Sequence, residues 1–390
     1  VSASLRNKAQ KNHKIPSYTV YILGDRVATD PLDTYDHRQI KFITPGIHSL
    51  EDLDYGKAKI IYFLPGLHDI EGGKLALKSN HDVCIPRGAV VRAGIIAEEV
   101  NDARVFGQGI LDGSTSPRDV GENKGSRMGE KWMDDAGREG FVCFFKGKNI
   151  LFDGPIIYNS NFWNIVISGT ENAIVRNHKA ITWLQNTDGI QPRSCNNLLI
   201  EHCFLKCADD CIAIKTRRTL PMESRDITCR DLTLWHDRVG NGIQIGHTSQ
   251  ADLLENVTFK DIKAIYGGES GHVLGMCIID HSLVRNVLFE DIYVEGRGFY
   301  CDFSISIHPS YYSTDDERGH IKGVVIKRFY SENSLRRTSY IRGFDSKHLV
   351  EDVQFEEIYW HYGNPQKCRK AIELSEFLDE DVNSKNVRIM

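Results

Sequence analysis

The chain has no apolar run near the ~18 residues that a membrane-spanning helix requires, so a helical membrane protein is excluded. It has no charge excess either: the formal net charge is −5 with 26% charged residues, which gives no global attraction to nucleic acid or to anionic membranes. A Gly-rich phosphate loop, an H-E-x-x-H helix and a defensible Ser-His-Asp order are all missing. The histidines are scattered, so no zinc site and no cofactor is expected. Ten cysteines are present without paired C-x-x-C spacing, and Cys203, Cys207, Cys211 and Cys229 fall within apolar strand patterns, which predicts buried thiols rather than a disulfide framework. The opening stretch VSASLRNKAQKNHK lacks the apolar middle of a signal peptide and reads as the start of a mature, soluble chain.

What is present is a repeat. The segments NLLIEHCFL, DITCRDLTL, NVTFKDIKA, NVLFEDIYV, GVVIKRFYS and DVQFEEIYW each open on Asn, Asp or Gly, alternate apolar residues, carry a polar pair and end in a second apolar run. Weaker copies are DVCIPRGAVV, DARVFGQGIL, NILFDGPII and NAIVRNHKAI. Alternation with period two means short strands with one buried face. The copies open at Asp82, Asp102, Asn149, Asn172, Asn197, Asp226, Asn256, Asn286, Gly323 and Asp352, with gaps of 20, 47, 23, 25, 29, 30, 30, 37 and 29 residues. Units this short have no room for an ordinary helix, and the L-x-x-L-x-L signature of leucine-rich repeats is absent, so the pattern predicts an all-β parallel β-helix.

Two long gaps mark excursions. Ser114 to Gly140 is Gly-rich and carries Arg118, Lys124, Arg127, Lys131 and Arg138; the second, RGFYCDFSISIHPSYYSTDDERG, carries Phe299, Tyr300, Tyr311 and Tyr312. Either could wall a cleft or form a plain surface loop, and the aromatics of the second could instead form a local mini-core. Residues 1–57, with YTVYILGDRVATD read as a hairpin, are expected to form a small β appendage or cap, and residues 58–390 the solenoid.

Within the solenoid, Asp188 in NTDGI and Asp209 and Asp210 in CADDCIAIK lie 21 and 22 residues apart, close to one coil. They therefore stack on neighbouring rungs, about 4.8 Å apart. If Ile212 and Ile214 point inward, Asp209 and Lys215 share the outer face, and Asp210 joins them only if the chain bends at the corner. Gly189 would release the alternation after Asp188 through its backbone freedom. Crowded carboxylates repel, so one holds its proton while another stays ionised, the pairing that glycoside hydrolysis needs. Two other readings stay open: a calcium site serving a polysaccharide lyase, with Lys215 or an Arg as proton abstractor, and a noncatalytic glycan-binding solenoid.

NTDGI followed by DDCIAIK resembles the polygalacturonase-type glycoside hydrolases, right-handed parallel β-helices of the pectin-lyase type. The resemblance extends over about residues 58 to 362. It implies Asp209 as general acid, Asp188 and Asp210 activating water, and hydrolysis with inversion. Two features depart from the family pattern: GNGIQIGHTS has Asn241 where the family has His, and GMCIID, Gly275 to Asp280, lacks the basic pair that the family uses to hold a substrate carboxylate. The departure argues against ordinary polygalacturonan, and similar β-helical hydrolases of the dextranase, isopullulanase and α-galactosidase types act on neutral glycans. Asn186, Lys215, Asn241, Gln244, His247, Asp280 and His281 are the substrate-binding candidates, with His236 nearby; Trp163, Trp183 and Trp235 either stack on sugars or pack between coils. The reading is a secreted or periplasmic enzyme acting on a polysaccharide or oligosaccharide, with no nucleic-acid or membrane partner.

Overall fold

The computed structural model describes residues 2–5, 18–21, 35–116, 140–220, 222–268, 271–295, 298–333, 338–361, 363–364, 368–370 and 378–390. The chain divides into two units, Val1–Tyr35 and Asp36–Met390. In the first, Tyr18–Tyr21 pairs antiparallel with Ser2–Leu5; the expected Gly-Asp turn falls outside the described residues. The second unit is a right-handed parallel β-helix; the repeat predicts the parallel coil, and the resemblance its hand. It starts earlier than residue 58: Ile40–Ile43 and Gly46–His48 already pair in parallel with Ile60–Phe63 and with the start of Gly66–Ala76, forming a first coil. An all-strand coil needs no more than a strand and a turn to begin, which is why composition did not mark the boundary.

Each coil contributes to three parallel sheets. The first contains Asn101–Phe106, Lys148–Asp153 and Glu171–Arg176; the second contains Ile110–Asp112, Ile156–Tyr158 and Lys179–Ile181. From Asn196–Cys207 onward, single long strands supply both sheets: Ser224–His236, Leu253–Tyr266, Leu283–Val294, His320–Ser331 and Val350–Trp360. The polar pair of each repeat is the bend between the two halves, where His202, Asp231, Asp261, Asp291, Arg328 and Glu357 adopt left-handed backbone angles of φ 51–57°. Inward positions on both sides of the bend are apolar: Val257, Phe259, Ile262 and Ala264 are fully buried, and Phe259 stacks on Phe289 of the next coil at 5.1 Å. Each such ring contributes about 1.5–3 kcal/mol on burial.

The residues that open the repeats form a ladder. Asp102, Asn149, Asn172, Asn197, Asp226, Asn256, Asn286 and Asp352 all have φ near 55°, a region that Asn and Asp tolerate best among non-glycine residues, and Gly323 takes the same region at 71°. Asn149, Asn172 and Asn197 each donate a side-chain N–H to the preceding member, at 2.8, 3.0 and 2.8 Å. Asp82 is not one of them. It pairs with Arg104, two residues along, and accepts that residue's backbone N–H and guanidinium; Asn80, at φ 59°, holds the ladder position.

The third sheet runs through Val142–Phe145, Ile165–Ser168, Ile190–Arg193, Ile212–Thr216, Ile243–Ser249, His272–Ile278, Cys301–Ile307 and Ser339–Arg342. Cys301–Ile307 lies inside the stretch expected to leave the coil, so the second excursion shrinks to residues 308–319; the basic residues of the first excursion fall outside the described residues. Cys84, Cys143, Cys195, Cys203, Cys207, Cys211, Cys229, Cys277 and Cys301 are buried free thiols, and Cys368 is a partly buried one.

Candidate active site

Asp188, Asp210 and Asn241 each stand two residues before a strand of the third sheet, and Ile190, Ile212 and Ile243 are in register. The column is therefore Asp188, Asp210, Asn241. Asp209 sits one residue before it, so the in-register spacing is 22 and not 21 residues. The corner turns the Asp210 side chain outward, against strict alternation, and one carboxylate oxygen of each of the three aspartates lies within 4.8 Å of the others. Gly189 works differently from the expectation: its φ is ordinary, but a Cβ there would meet the Cys211 carbonyl oxygen at 2.3 Å, so glycine is required by close approach.

The three carboxyl groups have unlike surroundings. Asp188 is buried, accepts from the Gln191 amide at 2.7 Å and faces the Lys215 ammonium at 3.9 Å. Asp210 is buried and accepts from both the backbone N–H and the side-chain amide of Asn241, at 2.7 and 3.0 Å. Asp209 is the most open of the three, and one of its oxygens accepts the Asp210 N–H at 2.9 Å. Burial, followed by the charges of Asp188 and Asp210, pushes the Asp209 carboxyl up to about 9. Burial raises Asp188 to about 6, with Lys215 opposing and Asp210 adding to the rise. Asp210 is also raised by burial, opposed by Lys215 and the Asn241 hydrogen bonds. Near neutral pH the cluster therefore holds a protonated Asp209 beside an ionised partner.

The other expected residues divide into three groups. Asn186 is in the left-handed region, φ 60°, on the corner leading to Asp188, and Lys215 and His247 lie on the outer face. Asn241 and Gln244 join the site as supports: the Asn241 amide donates to Gln244 at 2.8 Å and its oxygen accepts the His272 N–H, while Gln244 donates to the Ile245 carbonyl. An open amide on Gln244 was expected; both of its ends are engaged internally. Asp280 and His281 are not brought to the carboxylates. Asp280 is fully buried and accepts from Ser249, Thr314 and Asp315 backbone N–H groups, and His281 pairs with Asp315 and Asp252, so both anchor the 308–319 loop. His236 is likewise buried, packed edge-on against Phe299 at 5.1 Å.

Among the tryptophans, Trp235 packs internally and donates to Asp237 at 2.6 Å, while Trp183 is exposed beside Tyr158. Trp163 lies over the Arg193 guanidinium at 4.3 Å and near the Lys215 ammonium at 5.6 Å. Gln191 and Arg193 were missed by sequence reasoning. Arg193 is buried, donates to Gln191 at 2.6 Å and is in register with Lys215, so the outward parity that singled out Lys215 would also have found it. Gly240 was missed too: at φ 86° it leaves space that a Cβ would take 2.5 Å from an Asp209 oxygen.

A parallel β-helix with such a cluster at the mouth of one sheet defines a class of solenoid with a carboxylate site on its side face. The family model Glycosyl hydrolases family 28 matches residues 74–373, and the chain belongs to that family. The fold agrees with that of an exopolygalacturonase from Thermotoga maritima, 17% identical with a TM-score of 0.63 over 90% of this chain and 91% of that one. It also agrees with a polygalacturonase from Erwinia carotovora, 17% identical with a TM-score of 0.60 over 85% and 90%. In sequence, the chain is similar to an endo-polygalacturonase of Pectobacterium carotovorum, 26% identical over 182 residues, which cover 44% of this chain and 42% of that protein. The matched stretches span less than half the length of the curated relatives.

Proposed function

We propose that the protein hydrolyses glycosidic bonds of a polysaccharide or oligosaccharide, with Asp209 as general acid and Asp188 and Asp210 activating water. The observation that carries this reading is the clustering of three carboxyl groups whose environments drive their proton affinities apart, leaving Asp209 protonated where Asp188 is ionised. Lys215, Gln191 and Asn241 position the two bases and balance their charge. Family membership supports hydrolysis; the outward positions Gly275 and Cys277, which carry no charge, support a substrate other than ordinary polygalacturonan. The compartment of the proposed reaction is extracellular or periplasmic, where polysaccharide is met.

Reducing-sugar release from a panel of neutral and acidic polysaccharides, with wild type and Asp209→Asn in parallel, tests the reading. Release that the substitution abolishes is expected. No release from any glycan, with equal binding by both proteins, would instead make the solenoid a noncatalytic binder; unsaturated, ultraviolet-absorbing ends suppressed by a chelator would make it a lyase.

Inversion enters this reading through the resemblance, and retention with one aspartate as nucleophile is the alternative. Proton NMR of the first-formed anomer decides between them.

A further inference from the structure

Beyond the carboxylates, toward the C-terminal coils, the face of the third sheet changes character. Gln191, Arg193 and Lys215 are replaced on the outward positions of later coils by Gln244, Gly275, Cys277, Ser304 and Ser306, none of which carries a charge. The Gln244 side chain covers the next coil so closely that a Cβ on Gly275 would meet its Oε1 at 2.4 Å, so a longer side chain there would have to displace the Gln244 amide. Cys277 lies 3.5 Å from His308 Nε2. Farther along the face, Arg342 is already paired with Asp379 at 2.5 Å.

His247 stands in the middle of this stretch. It is in register with Ile278, which is in register with Ile307, just ahead of His308, and its ring centre is 6.3 Å from that of the exposed Tyr312. No side chain or backbone group among the described residues hydrogen-bonds its ring nitrogens, and unlike those of His178 and His236 they are not sealed from the surface. A half-buried imidazole with both nitrogens open and an aromatic ring beside it is suited to a ligand that donates and accepts at once, as a sugar hydroxyl does.

We propose that this stretch is a subsite for an uncharged pyranose, with His247 hydrogen-bonding its hydroxyls and Tyr312 flanking the ring. The inference deepens the hydrolase reading and rests on it for the location of the cleft. A carboxylated sugar would place its charge against imidazole, thiol and hydroxyl groups, with no cation on the outward strand positions Gly275, Cys277, Ser304 and Ser306, and close to the ionised member of the aspartate cluster, an arrangement that desolvation and like-charge repulsion both oppose. Burial, Lys215 and His308 hold His247 down to about 4, so the imidazole is neutral and supplies one donor and one acceptor at the pH where Asp209 is protonated.

The test is calorimetric titration of Asp209→Asn, which binds without turnover, with an α-1,4-linked oligogalacturonide and with the same oligomer after chemical reduction of its carboxyl groups. The reduced oligomer is expected to bind at least tenfold more tightly. Adding His247→Ala should weaken it about tenfold, His247→Gln should restore most of that loss, and Cys277→Lys should move the preference toward the acidic oligomer. Equal or tighter binding of the acidic oligomer, binding of neither by a folded protein, or a His247→Ala variant with unchanged affinity would overturn the proposal. Its failure is separable from failure of the hydrolase reading: turnover with acidic preference removes only the subsite, and neutral binding without turnover in wild type removes only the hydrolysis.

Discussion

Two stacks of Asn and Asp side chains climb this solenoid, one residue per coil, and they reach opposite states. In the ladder at Asn149, Asn172 and Asn197 every step is an amide donating to an oxygen, on exposed corners. At the site the stack is Asp188, Asp210 and Asn241, buried, with Asp209 added, and only the Asn241 step supplies a donor. The repeat imposes the stacking in both places. Whether it stabilises the fold or sets up chemistry depends on whether each step pairs a donor with an acceptor, and on how much water remains to solvate the mismatch.

The difference can be broken most sharply at Asp209. Asp209→Asn should lower kcat by about 10²–10⁴-fold, the range for loss of a general acid, while heat stability at neutral pH rises. The sign follows from linkage: a carboxyl raised from 3.8 to about 9 binds a proton in the folded state that the unfolded chain has released, so its contribution to stability falls as pH rises across that window. Thermal melts from pH 4 to pH 9 should show a steeper decline for wild type than for the variant. Equal slopes would mean that the column carries no frustration.

The pH dependence of kcat/KM sharpens the same point. A bell is expected, rising as Asp188 ionises near 6 and falling as Asp209 ionises near 9, with both limbs belonging to the cluster as a whole. A profile flat between pH 5 and 9 would remove the carboxylates from the rate-limiting step.

Gly240→Ala is expected to have the next largest effect. The added methyl at φ 86° would sit 2.4 Å from the Asp210 nitrogen and 2.5 Å from an Asp209 oxygen. A loss of about 1–3 kcal/mol in stability should accompany a drop in kcat, read by chemical denaturation and steady-state assay. Normal kcat would show that the corner has slack.

The smallest change converts the ladder toward the site. Asn256 donates to Asp226 at 2.9 Å, and Asn256→Asp replaces that bond by two facing carboxylates. Stability at pH 7 should fall by about 1 kcal/mol and recover below about pH 4, where the pair protonates, with kcat unchanged. The exposed corner keeps the penalty small, so a large loss would mean that ladder and site differ less in solvation than their burial indicates.

Much of this was legible in the chain. The alternation around Val257 and Phe259 and the recurring Asn and Asp openings specify coils, because only one face of each short strand can be buried. NTDGI and DDCIAIK, one coil apart, specify a carboxylate cluster. Asp280 and His281 were misplaced because their strand position resembles a cleft, yet their partners Thr314, Asp315 and Asp252 lie in other segments and no spacing rule connects them. Asp82 was set two residues off for the opposite reason: locally it looks like a ladder residue, and only its pairing with Arg104 distinguishes it from Asn80.

The sequence by itself determined the parallel coil, the apolar interior and the presence of three aspartates within one turn, since these follow from local periodicity and from the rise per coil. Tertiary structure decided that Asp210 and not Asp209 stacks on Asp188, that Asn241 and Gln244 serve as supports, and that the His247 ring is set beside Tyr312. Those outcomes depend on corner geometry and on which coil covers which side chain, and desolvation, the largest influence on all three carboxyl groups, exists only once the coils have closed around them.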